Sequence, residues 1–139
     1  MFNDDQRKHR LQMSSEEIST VEKFMHEKKF WSFTARKQHL LDRMREKRFT
    51  PDEALSVLKT GNIIEVHANN YPEIRIVMRK TIGLRDVCIC ATADGIVVTG
   101  WANAHDDSHS TLNKSKYQWK VDLVKLFTEY NCYGNQRQR

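Results

Sequence analysis

Residues 62–101, NIIEVHANNYPEIRIVMRKTIGLRDVCICATADGIVVTGW, decide the fold, because here the apolar pattern turns from helical to alternating. Ile63, Ile64 and Val66 read as a short strand. Across Glu73 to Thr81, Ile74, Ile76 and Met78 share one face while Arg75, Val77 and Arg79 share the other. Asp86 to Thr92 is apolar on both faces, the pattern of a central strand covered on both sides. Turns are expected near Asn69-Asn70-Tyr71-Pro72 and at Ile82-Gly83-Leu84. Ala93-Asp94-Gly95 carries an Asp-Gly hairpin signal, and Ile96 to Trp101 returns as the last strand of a meander.

Upstream of this stretch the chain reads as helices. In Ala35 to Arg48 (ARKQHLLDRMREKR), Leu40, Leu41 and Met44 fall on one side and Arg36, His39 and Arg43 on another. In Thr50-Pro51-Asp52-Glu53 the threonine caps, the proline takes the first helical position and the glutamate the third. The helix Pro51 to Thr60 then carries Ala54, Leu55 and Leu58, and Gly61 is expected to end it in the left-handed conformation. Ser14 with Glu17 forms a capping-box pattern opening a helix from Ser15 to Phe30, whose Ile18, Val21 and Met25 repeat at helical spacing. Residues 1–13 show no periodicity and are expected to be a mobile arm; residues 131–139 are expected to be a disordered tail. Tyr117 to Tyr130 begins strand-like and ends helical. Residues 14–130 thus form a single α+β domain, with two or three N-terminal helices packed on an antiparallel sheet of about four strands.

At 139 residues the chain has room for one modest core. No apolar stretch approaches the ~18 residues of a membrane span, and the amino terminus MFNDDQRKHRLQ lacks the apolar centre of a secretory signal. Cys88 and Cys90 sit two apart on a strand, a poor disulfide geometry, and read as reduced thiols. A cytoplasmic location without a membrane partner is therefore expected. A net charge of +5 favours nucleic acid or another anionic surface as partner.

Four groups of residues carry candidate chemistry. His39 and Arg43, with Arg75 and Arg79 from the meander, supply what RNA cleavage needs: a proton-transfer group and cations for the phosphorane. Exposed helical and strand charges are the plain alternative. Thr99-Gly-Trp101-Ala-Asn103 brings a hydroxyl and a stacking ring to one face, although a tryptophan at a strand end is often simply buried. His105, Asp106, Asp107 and His109 lie in a polar segment without helical pattern or cysteine. No metal and no cofactor is expected there. His109, Lys116 and Tyr117 are instead expected to contact bound substrate. Lys28, Lys29, Arg36, Lys37, Arg45, Lys47 and Arg48 form a basic band, with Arg36 and Lys80 as phosphate contacts. A solvated helix face is its ordinary alternative.

The order QHLLDRM, FTPDEALSVLKTGNIIE, IRIVMRK and VCICATADGIVVTGWAN resembles a family of small domains related to colicin D and to bacterial toxin ribonucleases. That grouping spans barnase, EndoU and RelE-like toxins, and the resemblance covers roughly residues 36–103. It implies that His39 is the helix histidine, Arg43 the arginine one turn on, Arg75 or Arg79 the basic strand position, and Thr99 with Trp101 the final strand. The implied activity is that of a metal-independent endoribonuclease (toxin-like, or carried by a phage or plasmid) acting on tRNA or mRNA. Cleavage by 2′-hydroxyl transesterification would leave a 2′,3′-cyclic phosphate, and a cognate antitoxin or immunity protein is the implied partner. The competing expectation is a non-catalytic module that grips nucleic acid or a host protein.

Overall fold

Reciprocal side-chain caps start two helices at the expected places. Ser14 Oγ accepts the Glu17 N–H at 3.1 Å while Glu17 Oε1 accepts the Ser14 N–H at 2.9 Å. Thr50 and Glu53 do the same at 3.1 and 3.0 Å, with Pro51 at the first turn. The computed structural model describes residues 7–33, 37–47, 49–70, 72–104 and 122–137. In chain order these form β1 (Arg7–His9), a 3-10 helix (Arg10–Gln12), α1 (Ser15–Glu27), β2 (Ser32–Phe33), α2 (Lys37–Lys47), α3 (Pro51–Thr60), β3 (Asn62–Asn70), β4 (Glu73–Ile82), β5 (Arg85–Thr92), β6 (Ile96–Ala104) and α4 (Leu123–Arg137).

The fold is α+β, with a larger sheet than the expected four strands. Its order is β1-β3-β4-β5-β6-β2, antiparallel except for β2, which runs parallel to β6. Both additions are edge strands of two or three residues, too short to show a period in sequence. Arg7 to Gln12, expected in a mobile arm, form β1 and the 3-10 helix. The helix from Leu123 continues to Arg137, through the expected disordered tail.

All four helices pack on one face of the sheet. Val21 and Met25 of α1, Leu40 and Met44 of α2, Val57 and Leu58 of α3, and Leu123 and Phe127 of α4 share a core with Ile76 and Met78 of β4. Burying a side chain such as Leu58 completely stabilises by roughly 1.5–3 kcal/mol. Edge-on rings join α4 to α1, with the Phe24 and Phe127 centroids 5.0 Å apart. Among the described residues no helix is long and apolar enough to cross a membrane.

Gly61 ends α3 for a reason other than the one expected. Its φ is −81°, ordinary extended backbone, but an added Cβ would lie 2.4 Å from the Val57 carbonyl oxygen and 2.9 Å from that of Arg79. Close approach of helix to strand, rather than a left-handed turn, requires the glycine. Gly95 does take positive φ (102°) in the expected hairpin.

The amino-terminal strand and the 3-10 helix after it are tied down by two side chains, Lys8 and Arg10. Lys8 faces the helices, with Nζ 2.9 and 2.7 Å from the two oxygens of buried Glu17. Arg10 reaches Glu22 at 2.9 Å and the Ile63 carbonyl at 3.0 Å. Glu22 also accepts the Ile63 N–H at 2.9 Å. Ile63 lies at a bulge, where β3 advances two residues (Ile63 to Glu65) while β4 advances one (Met78 to Val77). Arg10 and Glu22 thus satisfy backbone groups at this irregularity.

Candidate functional site on the outer sheet face

Alternation along β4 sends Ile74, Ile76 and Met78 into the core, so Arg75, Val77, Arg79 and Thr81 point away from the helices. Strand register extends this outer face into rows. Arg7, His67, Arg75 and Thr92 lie side by side across β1, β3, β4 and β5. The next row is His9, Glu65, Val77, Cys90 and Thr99, followed by Asn62, Arg79, Cys88 and Trp101. Thr81, Asp86 and Asn103 form the last.

The expected meeting of His39 and Arg43 with Arg75 and Arg79 does not form. Leu40 and Met44 seat α2 on the core side, leaving His39 exposed and Arg43 half-buried in the helical layer. The sheet itself separates them from the arginines of β4. Lys80, expected beside Arg79 as a phosphate contact, faces the helices for the same reason of alternation. Its Nζ donates to Ser56 Oγ and Thr60 Oγ1, both at 2.7 Å. Nor is the basic band wholly a solvated face. Lys28 lies over the Phe24 and Trp31 rings, at 5.1 and 5.9 Å from their centroids. Burial lowers its pKa, with Asp94 opposing the shift.

What the structure does bring together is Arg75, Arg79, Thr99, Trp101 and Asn103, all on the outer face, along with four groups not singled out in the sequence. These are Arg7, His9, Glu65 and His67. Glu65 and His67 stand two apart on β3, and simple alternation would have placed them together. Arg7 and His9 carried no such signal, because their strand forms only by pairing with residues more than fifty positions away.

A carboxylate, two imidazoles and two guanidinium groups (Arg7 and Arg75) therefore share one end of the face, with Arg79 in the row beyond them. Arg7 Nη2 lies 3.2 and 3.1 Å from the two oxygens of Glu65. Arg75 pairs at 3.3 Å with exposed Glu73. Among the described residues no carboxylate forms an ion pair with Arg79, which stands between that end and Trp101. His9 Nδ1 accepts the Leu11 N–H at 3.1 Å, so the neutral ring carries its proton on Nε2 as a donor. Burial holds the His9 pKa below its ordinary value; Glu65 pulls it up and Arg79 pushes it down.

Between the charged end and β6 the floor is Val77, Cys88 and Cys90. Both cysteines are free, and burial pushes each thiol up to about 11, which keeps this floor uncharged at neutral pH. Thr99 and Trp101 are half-buried at its far side, with Asn103 beside them. Thr99 is three strands from Glu65, too remote to join the same proton transfer.

Arg36, His105, Asp106, Asp107, His109, Lys116 and Tyr117 lie outside the described residues. Among the described residues no group of three or more His, Cys, Asp or Glu side chains is arranged to hold a metal ion. Comparisons with protein-family models, curated proteins and solved structures each find no match, so the chain is placed by its own residues and fold.

Proposed function

We propose that the protein is an endoribonuclease that cleaves RNA by 2′-hydroxyl transesterification on the outer sheet face. The observation that carries this proposal is the placement of Glu65 and His67 on one face of β3, with Arg7, Arg75 and Arg79 around them. The reaction needs a base near the 2′-oxygen, cations on the phosphate and a proton for the departing 5′-oxygen. Glu65, kept in place by Arg7, takes the 2′-hydroxyl proton. Arg75 and Arg79 bind the non-bridging oxygens, and His67 in its protonated form supplies the proton to the 5′-oxygen. The 2′-oxygen forms its bond to phosphorus as the bond to the 5′-oxygen breaks, leaving a 2′,3′-cyclic phosphate. The assignment keeps the toxin-ribonuclease likeness of the sequence while moving the proton transfer from His39 to β3.

A second function uses the same face without chemistry. Arg7 already engages both oxygens of Glu65, which competes with proton transfer to them, while Arg79, which forms no ion pair with a carboxylate among the described residues, can still hold a phosphate.

The test is incubation with tRNA and mRNA in EDTA, with chemical identification of the new 3′ ends. Cyclic phosphate ends are expected, with Glu65→Gln and His67→Ala each slowing cleavage by roughly 100-fold or more. His39→Ala is expected to leave the rate within about threefold. Intact RNA after incubation with folded wild-type protein would overturn the assignment in favour of passive binding.

A further inference from the structure

Across the third row of the outer face, Arg79, Cys88 and Trp101 are direct neighbours on β4, β5 and β6. Two strand spacings separate the cation from the indole, about 10 Å between backbones. An extended nucleotide chain can bridge that distance with a phosphate at one end and a base at the other. The floor between them is short and apolar, and its protonated thiols place no negative charge against the phosphates. Beyond Trp101 on either side stand Thr99 and Asn103, half-buried groups able to exchange hydrogen bonds with a base edge.

Resting on the proposed RNA cleavage, we infer that the β5–β6 end of this face is a base-binding subsite. Trp101 stacks on an unpaired base, Thr99 and Asn103 meet its edge, and the substrate class is single-stranded RNA. Bases in a duplex already spend both π-faces on their neighbours, so a ring on a sheet surface meets one only where the strand is unpaired.

The test measures binding separately from cleavage. A fluorescently labelled 2′-O-methyl oligonucleotide lacks the nucleophile and cannot be cleaved by this route. Its anisotropy reports affinity, alone and annealed to its complement. Single strands are expected to bind at least about tenfold more tightly than duplex. Trp101→Leu, which keeps an apolar side chain but loses the ring, is expected to weaken binding about tenfold; Trp101→Phe is expected to stay within about threefold of wild type. Equal affinity for duplex and single strand would overturn the inference, and that measurement needs no variant. So would unchanged binding by a Trp101→Leu protein with a wild-type circular dichroism spectrum. Strand-selective, ring-dependent binding by a protein that leaves natural RNA intact would support the subsite and sink the transesterification. Cleavage indifferent to residue 101 would do the reverse.

Discussion

Lys8 Nζ lies 2.7 Å from Glu17 Oε2, buried behind the same three-residue strand that presents Arg7 and His9 to the outer face. Glu17 also accepts the N–H groups of Ser14 and Leu123, both at 2.9 Å. One carboxylate therefore ties the amino-terminal strand to the starts of α1 and α4. Removing one partner leaves an uncompensated buried charge, so Glu17→Ala is expected to cost about 3 kcal/mol. That is roughly 10 °C of Tm by differential scanning calorimetry for a chain of this size. Lys8→Met with Glu17→Leu is expected to recover much of the loss. A double variant no better than the single one would show that packing, not charge, dominates the tether.

Acid should loosen the same tether. Burial acts to raise the Glu17 pKa, but hydrogen bonds from Lys8, Leu123 and Ser14 outweigh it and hold the group below its ordinary 4.5. A depressed carboxylate stabilises fully above its unfolded value, and that stabilisation is lost as pH falls through the folded one. Urea midpoints are expected to fall below pH 4.5 in wild type and to fall less steeply in Glu17→Gln. Parallel curves for the two proteins would remove Glu17 as the cause.

His9 provides a local probe of the outer face. Its folded pKa is lowered from 6.5 first by burial, so protonation opposes folding as pH drops from 6.5 toward the folded value. The His9 ring resonances in NMR are expected to titrate below 6.5. Arg79→Ala should move the midpoint up and Glu65→Gln should move it down, since those charges act in opposite directions. A midpoint at or above 6.5 in wild type would contradict the burial of this ring beside Arg79.

Gly100 sets how closely the α2–α3 connection can approach β6. A Cβ there would lie 2.7 Å from Ile89 Cδ1, 2.8 Å from Phe49 Cζ and 2.9 Å from the Cys88 carbonyl oxygen. Gly100→Ala is expected to destabilise by about 1–3 kcal/mol through overpacking. Phe49→Leu should relieve part of that strain, and the pair should be non-additive in thermal unfolding. Strict additivity would mean that the Cys88 backbone, and not the Phe49 ring, is the obstacle.

Cys88 and Cys90 should resist alkylation at neutral pH, because thiols raised to about 11 hold almost no thiolate. Iodoacetamide labelling followed by peptide mapping is expected to be at least about tenfold slower at both than in urea-unfolded protein. Rapid labelling of either in the folded state would place it in a more polar setting than the sheet floor described above.

Local signals wrote much of the fold directly into the sequence. The Ser14–Glu17 and Thr50–Glu53 boxes start helices because each satisfies backbone groups within three residues. The alternation of Ile74, Ile76 and Met78 identifies a strand, and with it the shared face of Arg75 and Arg79, because side-chain direction follows from period two. The Asp94-Gly95 turn and the shared face of Thr99 and Trp101 were legible on the same grounds, whereas β6 runs beyond the expected strand end at Trp101 through Asn103 to Ala104.

Only the tertiary structure decided which face of the sheet the helices cover, and that choice separated His39 from the arginines. Period gives relative direction within one element but carries no information about which layer lies above it. Pairing between Arg7–His9 and β3 was equally hidden, since three polar residues contain no pattern and their partners lie 56 to 60 positions away (residues 9 and 65, 7 and 67). Burial of Leu40 and Met44 on the helical side, and of Lys8 against Glu17, resolves both questions through contacts that no local stretch of the chain encodes.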